Sequence, residues 1–209
     1  MSKIKFDLLN LIFPLGFDEF NLMIGSSKLC FKKIPGYDEV LESLKKRYDS
    51  QITSTVEIEY ENDLNHSDAI ELMSKVNHLL TFCRGTIINY DSYEINEEKT
   101  SVDPISSDFA TRGLIDENDL NSTIRFIQEG YSSFNKIDEI YTLRKLAREY
   151  AYTRKNHSFI TVRAYVAVIL IEYLTSKYLE TIGYNEYVVD EQIWTTNAPK
   201  LKNEFKDLL

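Results

Sequence analysis

The sequence predicts an α+β protein with strands near its amino terminus and helices in its second half. Three observations support this class. Short apolar or alternating runs bounded by turn residues occur before residue 96, helical spacing of apolar residues begins at Asp116, and a polar stretch containing Pro104 separates the two patterns. We therefore predict a mixed α/β unit with antiparallel strands over residues 1–112 and a helical-bundle unit over residues 113–209.

The first predicted elements are a β-hairpin and a short helix. Phe20–Ile24 and Lys28–Ile34 are rich in large apolar residues, and Gly25-Ser26-Ser27 between them is typical of a turn. Pro35-Gly36 then ends the second strand. Helical spacing predicts a helix over Asp38–Tyr48, capped by Asp38, with apolar residues at Val40, Leu41 and Leu44.

A strand, a long helix and a second strand follow. Ile52–Tyr60 alternates between apolar and polar side chains, which predicts a strand with one wet face. The next helix is predicted to run from an N-cap at Ser67 to Gly85, a residue favoured just past a helix end. Thr86–Ile95 returns to β-branched and aromatic residues, and residues 96–113 are predicted to form a long loop.

Three helices are predicted in the second half. One is spaced by apolar residues from Leu120 to Phe134, a second runs from about Ile137 to Arg154, and a third is capped by Ser158 and extends to about Ile182. In the third helix, Ala164–Ile171 is a run of apolar residues that covers every side of the helix axis. This pattern predicts a buried helix at the centre of a bundle. The last apolar residues are spaced like the start of a further helix, so the chain is expected to be truncated at its carboxyl terminus: Leu201, Phe205 and Leu208.

Composition and charge narrow the class of partner and compartment. The net charge is −9, of which −8 falls on residues up to Ala110, so the first unit should repel nucleic acid and membranes while the second could carry a basic face. Asp7, Asn10 and Pro14 interrupt the first apolar stretch, which argues against a signal peptide. With two cysteines and no disulfide pattern, we expect a cytoplasmic protein with no membrane partner.

The reactive residues of the chain predict no catalytic, metal or cofactor site. His66, His78 and His157 stand in separate segments without the spacing of metal ligands on a helix face. Cys83 lies on an apolar stripe and Cys30 in a strand, and neither has a neighbouring histidine in sequence. No glycine-rich phosphate loop or nucleophile elbow is present, so we expect no cofactor and lean against an enzyme.

One surface feature suggests nucleic-acid binding. On the second helix of this half, three cations and two tyrosines fall within about 80° around the axis: Arg144, Arg148, Lys155, Tyr141 and Tyr152. Single-strand binding proteins use this pairing, because cations neutralise phosphates and aromatic rings stack on unpaired bases. The alternative is a solvated helix face whose tyrosines pack at the rim of the bundle.

Two segments resemble a known family. His78-Leu79-Leu80-Thr81-Phe82-Cys83-Arg84-Gly85-Thr86 resembles a segment of the amino-terminal domains of prokaryotic ApeA-like abortive-infection proteins. Phe126-Ile127-Gln128-Glu129-Gly130-Tyr131 and the run from Arg163 to Leu174 resemble the start and the central helix of the HEPN domain that follows in those proteins. The resemblance implies a sensing or regulatory α+β domain joined to an RNA-linked helical domain, often in phage defence.

The sequence departs from the catalytic motif of that family. Active HEPN members typically carry Arg, four to six residues, then His, in which the imidazole works on the ribose 2′-hydroxyl. Here two residues separate Arg154 from His157, eight separate Arg148 from His157, and no histidine follows. The resemblance therefore implies a non-catalytic regulatory or binding protein of an RNA-linked defence system, with single-stranded RNA, a protein partner or a second copy of the chain as partner. The alternative is an acidic protein-interaction factor or inhibitor with no nucleic-acid role.

Overall fold

The computed structural model describes residues 2–47, 50–60, 65–102, 113–154, 168, 171, 173–178, 180 and 181. The chain divides into two compact units, Met1–Ile171 and Glu172–Leu209. Residues 173–178, 180 and 181 of the second unit are helical. The elements below belong to the first unit.

A six-stranded sheet with four helices forms the described part of this unit, which confirms the predicted α+β class. Every adjacent pair of strands is antiparallel, and the spatial order is β2-β3-β4-β1-β5-β6. The strands are β1 Ser2–Leu9, β2 Glu19–Ile24, β3 Ser27–Lys33, β4 Ile52–Tyr60, β5 Asn89–Ile95 and β6 Glu98–Ser101. The helices are α1 Tyr37–Arg47, α2 His66–Arg84, α3 Leu120–Tyr141 and α4 Leu143–Arg154.

Strand β1 lies at the centre of the sheet, although the sequence analysis assigned no strand there. Its side chains alternate, so that Ile4, Phe6 and Leu8 are fully buried on one face. The opposite face is charged: the Lys3 ammonium lies 2.5 Å from a Glu57 carboxylate oxygen and 2.7 Å from one of Glu59 on β4. The sheet thus has a dry face and a charged face.

The predicted hairpin and the strand Ile52–Tyr60 are confirmed. The hairpin turns at Gly25, whose φ of 58° favours glycine. Helix α1 is confirmed, but Asp38 is not its cap, because the Gly36 carbonyl already accepts the Val40 amide and places Asp38 within the first turn. Strand β5 begins at Asn89, three residues later than predicted.

The predicted loop 96–113 contains an additional short strand, β6, paired with β5. Asn96 and Glu97 join the two strands with positive φ values of 51° and 69°, the backbone of a tight hairpin turn. All four residues of β6 are exposed. Residues 103–112 of the predicted loop, and with them the predicted boundary after residue 112, lie outside the described residues.

Helix α2 covers the dry face of the sheet and ends at Gly85 as predicted, with a φ of 72°. Its N-cap is Asn65, so the prediction of Ser67 is wrong. The Asn65 carboxamide oxygen accepts the Asp68 amide at 2.9 Å, and the Asp68 carboxylate accepts the Asn65 amide at 3.4 Å. This reciprocal pair fixes the start of the helix two residues before Ser67.

Replacing Asn65 with alanine is expected to lower the free energy of unfolding by about 1 kcal/mol, because the Asp68 amide at the helix start loses its acceptor. Ser67→Ala is the matched control, since Ser67 is exposed inside the first turn, and should change stability by less than about 0.5 kcal/mol. Urea unfolding followed by circular dichroism measures both. Equal losses in the two variants would contradict the assigned cap.

Helices α3 and α4 pack against α2, so elements on both sides of residue 112 share one core. Ile127 and Phe134 of α3 are buried in that core. A residue with positive φ separates the two helices: Thr142 has a φ of 50°, and its amide donates to the Asp138 carbonyl at 2.8 Å. The predicted start near Ile137 is therefore wrong, because α4 begins at Leu143.

The predicted third helix lies mostly outside the described residues. Val168 and Ile171 are helical, but their exposed fractions are 51% and 63%. The expectation of a helix surrounded by neighbours is wrong at these two positions, because solvent rather than a packed element covers them. Within the described ranges, no helix combines the length and the apolar character needed to cross a membrane.

Candidate ligand-binding cleft

The predicted cation stripe is only partly within the described structure. Arg144 and Arg148 lie one turn apart on α4, and both are exposed. Tyr141 ends α3 and so belongs to a different helix from the arginines, while Tyr152 lies in the last turn of α4. The side chains of both tyrosines, and the whole of Lys155, lie outside the described structure. The two arginines are the predicted site residues that the structure brings together.

These arginines line a cleft of about 250 Å³ between α2, the start of β5 and α4. From α2 the lining residues are spaced three and four apart, which places them on one stripe of the helix: Ser74, Asn77, His78 and Thr81. On α4, Ala147 lines the cleft together with Arg144 and Arg148. The cleft therefore combines cationic groups at one wall with polar groups of a core helix at the other.

The two arginines differ in their electrostatic surroundings. A guanidinium nitrogen of Arg144 lies 2.6 Å from a Glu71 carboxylate oxygen, and both side chains are 46% exposed. This ion pair neutralises much of the Arg144 charge and holds it beside α2. No carboxylate in the described ranges forms an ion pair with Arg148. Arg148 is accordingly the stronger anchor for an anion.

His78 lies on the α2 side of the same cleft. Its Nδ1 donates to the Ser74 carbonyl at 2.6 Å, which leaves Nε2 as the ring acceptor in the neutral form. Burial is the main cause that lowers the pKa of His78, and the charges of Arg144 and Arg148 lower it further, while the Ser74 hydrogen bond and Asp138 oppose the shift. The imidazole is therefore neutral near pH 7.

Acidification should destabilise the protein partly through His78. In the unfolded chain a histidine takes up its proton near pH 6.5, whereas folded His78 resists protonation until a lower pH, so stability is lost as the pH falls through this window. The contribution is at most about 1.4 kcal/mol per pH unit. We expect the unfolding free energy of His78→Gln to fall less than that of the parent between about pH 7.5 and about pH 5.5, measured by urea unfolding. Identical pH dependence would show that His78 titrates normally.

Asn77 is the functional candidate that sequence reasoning missed. Its side chain is 2% exposed, and neither carboxamide atom has a hydrogen-bond partner among the described residues. An unsatisfied buried polar group costs about 1–3 kcal/mol of stability. The sequence contained a signal, because Asn77 lies four residues after Met73 and three before Leu80, so helical spacing places it on the apolar face of α2.

The polar neighbours of Asn77 in the cleft wall are already committed. The Thr81 hydroxyl donates to the Asn77 main-chain carbonyl at 2.8 Å and accepts the Ile88 amide at 3.1 Å. The Asn89 carboxamide oxygen accepts the Tyr90 amide at 2.9 Å. The bond from the Ile88 amide to Thr81 joins α2 to the start of β5, while the Asn77 carboxamide has no partner among the described residues.

The other reactive residues do not join this cleft. The Nδ1 atom of His66 lies 2.7 Å from the Tyr60 hydroxyl oxygen, away from the cleft. His157 lies outside the described residues. Burial raises the pKa of the Cys83 thiol to about 12, so it is no thiolate at neutral pH. Across the described ranges, no group of three or more histidine, cysteine or acidic side chains is placed to hold a metal ion.

Comparison of the chain with protein-family models, with curated proteins and with solved structures finds no match. The fold described above therefore stands on the sheet order and helix packing of this chain alone. The resemblance to ApeA-like proteins and to the HEPN domain stays a prediction.

Proposed function

We propose that the protein is a non-catalytic, cytoplasmic RNA-binding regulatory protein of the RNA-linked defence type, and that α4 contacts the phosphates of single-stranded RNA. The observation that carries this proposal is the pair Arg144 and Arg148 at the wall of a cleft that also contains an uncommitted carboxamide. Cations supply sequence-independent affinity, and a cleft beside them can receive an unstacked base.

The negative net charge of the chain lowers the affinity expected for RNA. A net charge of −9 repels RNA at long range, so binding depends on the local field of α4. Each phosphate contact on a single strand contributes roughly 0.7 to the slope of log affinity against log salt. Two arginine contacts predict a slope of about −1.4, which is much shallower than the slope of a strongly basic protein.

Fluorescence anisotropy of a labelled single-stranded RNA tests the proposal. Binding should weaken clearly between about 50 mM and about 200 mM salt, with the slope given above. The same RNA should run intact on a gel afterwards, because the chain carries no Arg-x4-6-His pair. Absence of binding at the lower salt concentration would overturn the proposal, and cleavage without added metal would overturn its non-catalytic part.

A second candidate function is the acidic protein-interaction factor. It is favoured by large apolar side chains left in solvent: Leu15 is 81% exposed, Leu114 58% and Phe17 42%. The Leu15 amide donates to the Asn118 carboxamide oxygen at 3.1 Å, which holds this loop beside the segment that leads into α3. Failure of RNA binding at low salt would favour this alternative.

A further inference from the structure

We propose that the cleft between α2, the start of β5 and α4 is a site for one unpaired adenine nucleotide, with the base on the Asn77 carboxamide and the phosphate on Arg148. The phosphate half of this assignment rests on the proposed function, whereas the base half rests on Asn77.

The Asn77 carboxamide supplies the recognition element. It presents an N–H donor and a carbonyl acceptor side by side, and neither atom has a partner within the described structure. The N6 amino group and N7 of adenine form the complementary edge, so asparagine binds this base through two hydrogen bonds. The neighbouring Thr81 hydroxyl and Asn89 carboxamide oxygen already have partners of their own.

The surroundings of the carboxamide suit an aromatic base. Ile88 and Ala147 line the same cleft and are almost fully buried, so a base that enters as far as Asn77 meets apolar side chains. Both carboxamide atoms are closed to solvent, so the base must part the side chains above them. Arg148 is exposed and forms no ion pair with a carboxylate in the described ranges, so it is the wall residue that can turn outward. Hydrogen bonds formed at such a depth are strong because water is excluded.

The size and charge of the cleft limit the ligand. Sites for drug-sized ligands occupy roughly 300–1,000 Å³. A volume of about 250 Å³ lies just below this range, which excludes a dinucleotide and leaves room for one base with its phosphate at the exposed rim. Glu71 already engages Arg144 at 2.6 Å, so Arg148 is the cation available to a phosphate. Neutral His78, in the same cleft wall, offers Nε2 as an acceptor and adds no charge to the site.

Isothermal titration of the full chain with AMP, UMP and inorganic phosphate tests this site. AMP should bind about tenfold or more tightly than UMP or inorganic phosphate, because the other two lack the N6/N7 edge. Asn77→Leu, which keeps the side-chain size, should abolish the AMP preference while the melting temperature does not fall. Arg148→Ala should weaken AMP and inorganic phosphate alike.

The outcomes separate this site from RNA binding in general. Equal affinity for AMP and inorganic phosphate, or an AMP preference that survives in Asn77→Leu, would overturn the adenine site even if RNA binds with the expected salt slope. AMP binding that depends on Asn77, without binding of longer RNA, would support the nucleotide site and overturn the proposed RNA-binding function. If neither AMP nor RNA binds, both proposals fail.

Discussion

Replacing Phe6 with alanine is expected to lower the free energy of unfolding by about 3–5 kcal/mol, the largest effect of any substitution considered. Phe6 is fully buried in the central strand β1. Its ring centre lies 5.2 Å from that of Tyr90 and 6.0 Å from that of Tyr93, both on β5. Truncation removes these contacts and leaves a cavity that a sheet paired on both sides of β1 cannot close. Because domains are stable by only about 5–15 kcal/mol, the variant should be close to unfolded.

Lys5→Ala is the control for this prediction. Lys5 lies on the same strand, one residue away, on the charged face of the sheet, and it is exposed. Its replacement should change stability by less than about 0.5 kcal/mol in the same urea titration. A loss of under about 1 kcal/mol for Phe6→Ala would contradict the position of β1 at the centre of the core.

The position of β1 could have been predicted in part. Ile4, Phe6 and Leu8 alternate with polar residues, which is the pattern of a half-buried strand. Lys3, Lys5 and the apolar residues around them also resemble the start of a targeting segment, and this second pattern masks the period of two. The sheet order was beyond sequence reasoning, because it joins β1 to two strands that begin about 50 and 90 residues later.

Two other differences between the predicted and the observed elements have no signal in the sequence. The β5–β6 turn uses Asn96 and Glu97 at positive φ, where glycine usually marks such a turn, and β6 has no apolar residue to indicate a strand. The break between α3 and α4 falls at Thr142, with neither glycine nor proline, while helical spacing of apolar residues continues across it. Backbone pairing of β6 with β5 overrides local preference in the first place, and packing of α3 and α4 against α2 does so in the second.

The candidate cleft was predicted on one side only. Arg144 and Arg148 follow from the periodicity of α4, but their partners come from α2, almost 70 residues earlier. The buried Asn77 and the pairing of Glu71 with Arg144 depend on how two helices pack. Periodicity can assign residues to a face of one helix and cannot identify the element that faces it.

Replacing Arg144, Arg148 and Lys155 together with alanine is expected to weaken RNA binding by about tenfold or more and to remove most of the parent's salt slope of about −1.4. Removal of Arg144 also frees the Glu71 carboxylate, which adds a repelling charge beside the cleft. Folding should survive, because Arg144 and Arg148 are exposed and Lys155 lies off the apolar face of its predicted helix. Anisotropy titrations at two salt concentrations measure both effects.

The control variant replaces Lys45, Lys46 and Lys136, which are exposed on α1 and α3, and changes the net charge by the same amount. It should bind RNA nearly as the parent does, because its cations lie outside the α4 face. Equal weakening in the two variants would show that net charge, rather than the α4 face, determines the affinity.

Photocrosslinking tests the central claim, that RNA contacts α4 at the cleft, most directly. A single-stranded RNA containing 4-thiouridine is bound to the parent protein at low salt and irradiated, and the crosslinked peptides are identified by mass spectrometry. We predict crosslinks in α4 and in the carboxyl-terminal half of α2, which together form two walls of the cleft. Crosslinks confined to the charged face of the sheet, or to the loop that carries Leu15 and Phe17, would contradict the claim.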